Sequence, residues 1–435
     1  MARISADEAL YQSQQLPAHS DSDLSHLPGD MGLPIVGHAF SFLKDPLVFF
    51  RTNYEKYGDV FTMRFGPDVG VMLVDMDAHK LMTVDSDFNF SVNKGYGNSL
   101  GEFFPGSLLD RDFSDHRIHR RIMQSAFKNS VLEGYMPKIH AIVNKHMAQW
   151  AAKGSVDFYP CIKAALLEVG SSVFLGLDLK EDADKINKCF VDLCAGSSTP
   201  LRKNIPGTKY ARALKSRSFM HEYFTDLIPA KRAGTAMDMF SLFCREKNES
   251  GEYFSDEEII SHVNFLLFAA HDTTTSTLTT MMYELTRNQL WQQECRKELQ
   301  AVEQDYLAYS QLGSLELSTY CFKETLRMYP PVVAMARRSV RDFEFKGTRI
   351  PANTMVQVSP LLAHRLPEIY PNPNQFDPMR FAPGREEHKV HPFAWFPFGG
   401  GAHKCIGLHF AEMLVKVSMF EMLRNYQFDS NGSDS

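Results

Sequence analysis

The sequence predicts a mainly α-helical fold carrying small β sheets, and three observations lead there. An apolar run over residues 259–282 opens on Ser255-Asp256-Glu257-Glu258, the spacing of a capping box, in which Ser and the Glu three residues on each satisfy a helix-end N–H. Continued to Arg287, this helix spans ~50 Å at ~1.5 Å per residue. Near the C-terminus, Leu408, Ala411, Leu414, Val415, Met419 and Met422 recur at helical spacing behind a glycine-rich loop that carries Cys405. The β-type runs are short by comparison, at 60–65, 71–74, 334–338, 343–351 and 354–358.

No Ser/Gly-rich linker or charge run divides the 435 residues, so a flexible polar arm over 1–27 and a single domain over 28–435 are expected. Hydrophobic residues make up 44% of the chain, with 33 Phe, 16 Tyr and 21 Met, enough for a core and an apolar cavity besides. A net charge of -6 argues against nucleic-acid binding, and the chain shows no zinc-finger spacing, phosphate loop or internal repeat. Its cysteines, 7 in number and scattered without a CxxC pair, point to a reducing compartment. Residues 1–25 hold neither a signal-peptide core nor a span-length apolar run, so no transmembrane anchor and a cytoplasmic location are expected.

In chain order, alternating proline and glycine over 27–37 give a rigid, turn-rich entry, and a short helix over Pro46–Tyr57 follows. Residues 60–65 and 71–74 flank Gly66-Pro67-Asp68-Val69-Gly70 and read as a hairpin. Residues 88–109, rich in Gly, Asn and aromatics without periodicity, read as a mobile loop whose Tyr96, Leu100, Phe103 and Phe104 either line a pocket or pack as ordinary core. Residues 115–127 form a basic helix. There His116 and Arg120 stand at i and i+4 on one face and can reach one anion together. Arg117, Arg121 and Lys128 point elsewhere, as a solvated face or as a docking surface for an acidic protein. Helices with few chemical landmarks occupy 135–250, with a loop at 197–207.

Inside the long helix lies a polar cluster, Ala269-Ala270-His271-Asp272-Thr273-Thr274-Thr275-Ser276. Consecutive threonines are poor helix material whose hydroxyls bond carbonyls one turn back, so a local distortion with room for dioxygen or water is expected. Further on, a helix over 322–329 is stopped by Pro330-Pro331, and its Glu324 and Arg327 at i, i+3 can pair. Short strands follow, the first holding Arg337 and Arg338. The last motif, Phe398-x-x-Gly401-x-His403-x-Cys405-x-Gly407, surrounds a cysteine that would by itself read as a small buried hydrophobe. At a helix N-terminus, however, unpaired N–H groups and the helix dipole favour a thiolate, and glycines let the backbone pass close to a flat group.

In order and spacing these motifs resemble the cytochrome P450 superfamily of haem-thiolate monooxygenases, and the resemblance covers the chain from about Pro28 onward. It implies the cytochrome P450 fold, with haem b (iron protoporphyrin IX) between the long helix and the helix after the cysteine loop. It also implies that Cys405 is the axial ligand of the haem iron, that Phe398 shields its sulfur, and that His116, Arg120, Arg337 and His403 contact the haem propionates. A thiolate ligand suits oxygen cleavage because it pushes electron density through the iron. Asp272 and Thr273 match the acid and alcohol that deliver protons during dioxygen activation, while Ala270 stands where the family often has Gly and tightens that groove. Glu324 and Arg327, with Arg380 in Phe376-Asp377-Pro378-Met379-Arg380-Phe381, match a structural triad behind the haem.

The implied activity inserts one oxygen atom of dioxygen into a lipophilic substrate. Electrons would come from a separate ferredoxin or flavodoxin served by an NAD(P)H-dependent reductase. The segments around Arg337 and the cysteine loop look most like the branch handling sterols, retinoids and terpenoids, and the polar N-terminus resembles soluble bacterial members. Two other readings stay open: a haem-containing binding or sensor protein without turnover, and a peroxide-driven peroxygenase, whose relatives generally replace the acid-alcohol pair kept here. Because the chain ends soon after Cys405, at Ser435, the family's terminal β hairpin is expected to be missing.

Overall fold

The computed structural model describes residues 21–430 except 67, 86, 97–99, 178–182, 198, 200, 201 and 249. Within it the chain divides into two compact units, the first from residues up to 98, 109–117 and 326–405, the second from 99–108, 118–325 and 406 onward. The fold is mainly α-helical with small sheets, as the sequence predicts.

The first unit carries the strands β1 (Val60–Phe65), β2 (Asp68–Leu73), β3 (Phe90–Ser91), β4 (Met335–Ser339), β5 (Phe343–Phe345), β6 (Thr348–Ile350) and β7 (Met355–Val358). Five of them form one sheet in the order β1-β2-β7-β4-β3, and β5 and β6 form a separate hairpin. The β1–β2 hairpin starts its return earlier than the sequence suggested. Pairing runs to Phe65 opposite Asp68, with Gly66 at φ 62° in the turn, a left-handed conformation that glycine adopts without strain. Along β4 the residues Met335, Arg337 and Ser339 are buried while Ala336 and Arg338 are less so, the two-residue alternation of a half-buried strand. Val71, Leu73, Phe90, Val356, Val358 and Phe396 share the core of this unit with Ala78 and Met82 of the helix Met76–Val84.

Residues up to 20 of the arm expected over 1–27 lie outside the described residues, but Leu24 and Leu27 belong to this core rather than to a flexible segment. Of the mobile loop expected at 88–109, the described residues Phe90, Val92, Phe103, Phe104 and Leu108 are buried. Asp112 accepts bonds from Ser91 Oγ at 2.5 Å and the Val92 amide at 2.7 Å, so a buried carboxylate fixes a stretch that has no periodicity to announce it.

The second unit is built around the helix Asp256–Arg287, which carries the predicted capping box: Ser255 Oγ accepts from Glu258 N and the Glu258 carboxylate accepts from Ser255 N. Thr273, Thr275, Thr277, Thr279 and Thr280 each donate to the carbonyl four residues back. The back-bonding nevertheless leaves the α-helical pattern unbroken through all 32 residues. Buried away from solvent, Thr275 and Thr277 satisfy their hydroxyls on carbonyls one turn back while the main-chain ladder stays intact. Leu166, Leu167 and Gly170 of the helix Phe158–Gly170 face Leu267 and Ala270 of this long helix across a small cavity. Among the described residues Phe158–Leu175 is long and apolar enough to cross a membrane by length and composition, and 44% of it is buried. Phe104 packs its ring 4.8 Å from Phe268, so this candidate pocket residue is core.

Candidate active site

In the first unit the loop before the helix Leu408–Leu423 is held at three levels. The Cys405 amide donates to the Phe398 carbonyl at 2.9 Å and closes the loop on itself. Phe398 is half-buried with its ring 5.9 Å from that of Trp395. Gly400 and Gly401 lie where a Cβ would come within 2.7 Å of the Phe393 ring and 1.8 Å of the Thr83 carbonyl oxygen. The close approach these glycines permit is therefore to the end of the helix Met76–Val84. Of the cysteines Cys405 is the exposed one, and the others are buried or half-buried.

His116 and His403 stack with ring centroids 3.7 Å apart at 27°, and His116 is buried. Arg337 is 6% exposed; its Nη1 donates to the Ala336 carbonyl at 2.8 Å, and the Ala336 amide donates to the Tyr96 hydroxyl at 3.0 Å. Burial holds the guanidinium below its usual pKa range, against the pull of Tyr96, Asp112 and Asp85. Asp85 itself is pushed up to about 6 by burial. Arg338 faces the other way and bonds the main chain of Asn353 and Lys94, which agrees with Arg337 as the inward residue. An exposed thiol at a helix entry, a stacked imidazole pair and a buried guanidinium fit an iron porphyrin with carboxylate arms. Arg120, one helical turn beyond His116 on the helix Phe113–Met123, is half-buried in the second unit, while Arg117, Arg121 and Lys128 are exposed.

The second unit places Asp272 and Thr273 next to each other on the long helix. Thr273 Oγ1 donates to the Ala269 carbonyl at 2.7 Å. Lys163, which sequence reasoning missed, donates from Nζ to Asp272 Oδ1 at 3.1 Å. Burial works against the lysine's charge, yet the bond to Asp272 outweighs it and raises the Lys163 pKa. Burial, reinforced by the Asp272 carboxylate, likewise pushes the Cys194 thiol well up. Beside them His271 is buried, with neither ring nitrogen hydrogen-bonded among the described residues and Nε2 3.8 Å from Asp272 Oδ1, and burial lowers it to about 4. It lines, with Ala270, Leu267, Gly170, Phe174 and Phe410, a cavity of about 20 Å³.

Arg327 and Arg380 are fully buried and meet at one acceptor, the Gln375 carbonyl, at 3.4 and 3.5 Å. Arg380 also takes an ion pair that the sequence did not announce, with Glu387 at 2.8 Å. Glu324, one turn before Arg327 on the helix Glu316–Met328, is fully buried as well.

Comparison with known proteins agrees with this geometry. The family description "Cytochrome P450" matches residues 27–435. A putative cytochrome P450 136 of Mycobacterium tuberculosis is 35% identical over 95% of this chain and 85% of its own length. An obtusifoliol 14-alpha demethylase of Triticum aestivum is 30% identical over 92% of this chain and 91% of its own. Among solved structures, the retinoic acid bound cyanobacterial CYP120A1 superposes with a TM-score of 0.82 at 25% identity, covering 94% of this chain and 91% of that one.

Proposed function

The chain belongs to the cytochrome P450 family of haem-thiolate monooxygenases, and from that premise we propose that it hydroxylates a lipophilic sterol, retinoid, terpenoid or fatty-acid-like substrate. Relatives named for 14-demethylation of sterols and a fold neighbour bound to retinoic acid support this substrate class. The observation that carries the reading is Cys405, an exposed thiol whose own amide is tied back to Phe398, in a chain that keeps the acid-alcohol pair Asp272-Thr273.

Bound haem b supplies the dioxygen chemistry. Cys405 is the thiolate that ligates the iron, and Phe398 keeps water from the sulfur. His116, Arg120, Arg337 and His403 hold the propionates, for which a buried cation such as Arg337 has a direct electrostatic use. Asp272, whose carboxylate accepts from the partly exposed Lys163, relays the proton to be delivered inward from that lysine and solvent, beside the Thr273 hydroxyl. Glu324, Arg327 and Arg380 form a buried scaffold whose charges need one another. Exposed Arg117, Arg121 and Lys128 suit an acidic ferredoxin or flavodoxin, reduced by an NAD(P)H-dependent enzyme. Cysteines that are not joined in disulfides among the described residues suit a reducing cytoplasm.

The test has two stages. Retinoids, sterols and terpenoids are screened by the shift of the haem Soret band, and binders are then incubated with a ferredoxin, its reductase and NADPH while oxygen uptake and product are followed. Oxygen-coupled product from at least one binder is the expected result. A thiolate-type carbon monoxide spectrum without product from any binder would leave a binding or sensor protein as the better reading.

A further inference from the structure

Phe396 opens the segment that leads to the cysteine loop, and it is gripped from two sides by buried histidines. The His79 ring lies flat on its ring, with centroids 4.5 Å apart and planes at 11°. His364 Nε2 stands 2.8 Å from the Phe396 amide nitrogen. Because the amide is the donor, Nε2 must carry the lone pair, which leaves the ring proton on Nδ1. Burial holds the His364 pKa well below its usual value, so the ring stays neutral and the acceptor is always available.

The anchor behind that ring is itself fixed. The His364 carbonyl accepts from Arg327 Nη1 at 2.8 Å, and the His364 amide donates to the Pro360 carbonyl at 2.9 Å. Arg327 is fully buried and shares the Gln375 carbonyl with Arg380. One continuous path of hydrogen bonds therefore runs from the buried arginines through the His364 main chain and ring to the Phe396 amide. Two residues later Phe398 supplies the carbonyl that holds the Cys405 amide. His364 Nδ1 has no partner among the described residues. A buried imidazole with one nitrogen unbonded is a poorer core residue than an apolar ring of like volume. Its acceptor nitrogen is what offsets that cost.

We propose that His364 is a positioning residue for the thiolate loop, transmitting the fixed geometry of Arg327 to Cys405 through the Phe396 amide. The inference rests on the reading of Cys405 as the axial ligand.

The test uses the haem-loaded protein and the variants His364→Phe, which keeps the ring volume but removes the acceptor, and His364→Gln, whose side-chain oxygen reaches the position of Nε2. Two quantities are read: amide hydrogen exchange at Phe396, and the share of thiolate-type against thiol-type ferrous carbon monoxide spectrum. For His364→Phe, exchange is expected to accelerate about tenfold or more. Roughly half or more of the thiolate-type band should be lost, while His364→Gln stays within about twofold of wild type in both. Unchanged exchange and spectrum in a folded His364→Phe would overturn the proposal, and so would equal damage in both variants, which marks mere packing. Should His364→Phe not fold, His364→Gln decides alone: near-wild-type values uphold the proposal, and a folded protein without the thiolate band overturns it. A wild-type protein lacking the thiolate band would fail the function proposed above, and the exchange measurement would still report on His364.

Discussion

Lys163 reaches Asp272 from 109 residues away in the chain, and no local pattern marks it. Asp272 and Thr273 could be picked out because adjacent polar residues interrupt an apolar helix; their lysine partner stands on another, largely apolar helix, where nothing in the local sequence names its target. The distinction has a kinetic consequence. Asp272→Asn removes the carboxylate that moves the proton, and turnover with a reconstituted redox chain should fall about 100-fold. Lys163→Met removes only its companion. Asp272 is 42% exposed and can still exchange protons with water, so a loss of about 3- to 10-fold is expected. Equal losses in the two variants would assign the proton-carrying role to the lysine. Cys405→Ser makes the simplest residue-level case: the thiolate-type carbon monoxide spectrum should vanish, because an alcohol does not ionise to replace a thiolate at neutral pH.

At the scale of elements, legibility followed how locally each structure is determined. The helix Asp256–Arg287 was readable to its first residue because a capping box is a four-residue device, and both of its bonds are present. Removing one half by Ser255→Ala should cost about 1 kcal/mol, measured by urea denaturation. The start of the segment 88–109 could not be read locally, because its hold comes from Asp112, whose bonds to Ser91 and Val92 are long-range in sequence. The threonine run was half legible: the back-bonding was foreseeable, while the unbroken helical pattern that goes with it was not. In the cysteine loop the glycines were visible but their neighbour was not. Gly401 has φ 60° and a Cβ there would meet the Thr83 carbonyl at 1.8 Å, which backbone cannot relieve by rotating a side chain. Gly401→Ala should therefore displace the loop, and a lower yield of thiolate-type spectrum at equal haem content is the expected sign, with Gly58→Ala, at a positive φ but in open space, as the control for backbone strain alone.

For the whole molecule the buried histidines set how stability responds to acid. His79 and His271 titrate at about 4, and His364 lies well below its usual value, in each case through burial. In the unfolded chain all of them titrate near ~6.5. Below that pH the unfolded state binds protons that the native state refuses, so stability is fully present above ~6.5 and is lost as pH falls, at up to ~1.4 kcal/mol per pH unit for each histidine. Two buried acids oppose the trend. Asp85, raised by burial to about 6, and Asp112, raised in the same way, bind protons more readily when folded and return part of the loss at lower pH. The net effect is steepest about one pH unit below ~6.5, where the unfolded histidines are mostly protonated and Asp85 offsets only part of their uptake. Denaturation midpoints should accordingly drop between about pH 7 and 5, and His79→Phe should flatten the slope by roughly one proton's worth. A midpoint that held or rose over that interval would mean that the histidines are not kept neutral by the fold. The same variant keeps a flat ring against Phe396, so it separates the titration from the stacking: the pH slope changes while the thiolate-type spectrum at neutral pH should not.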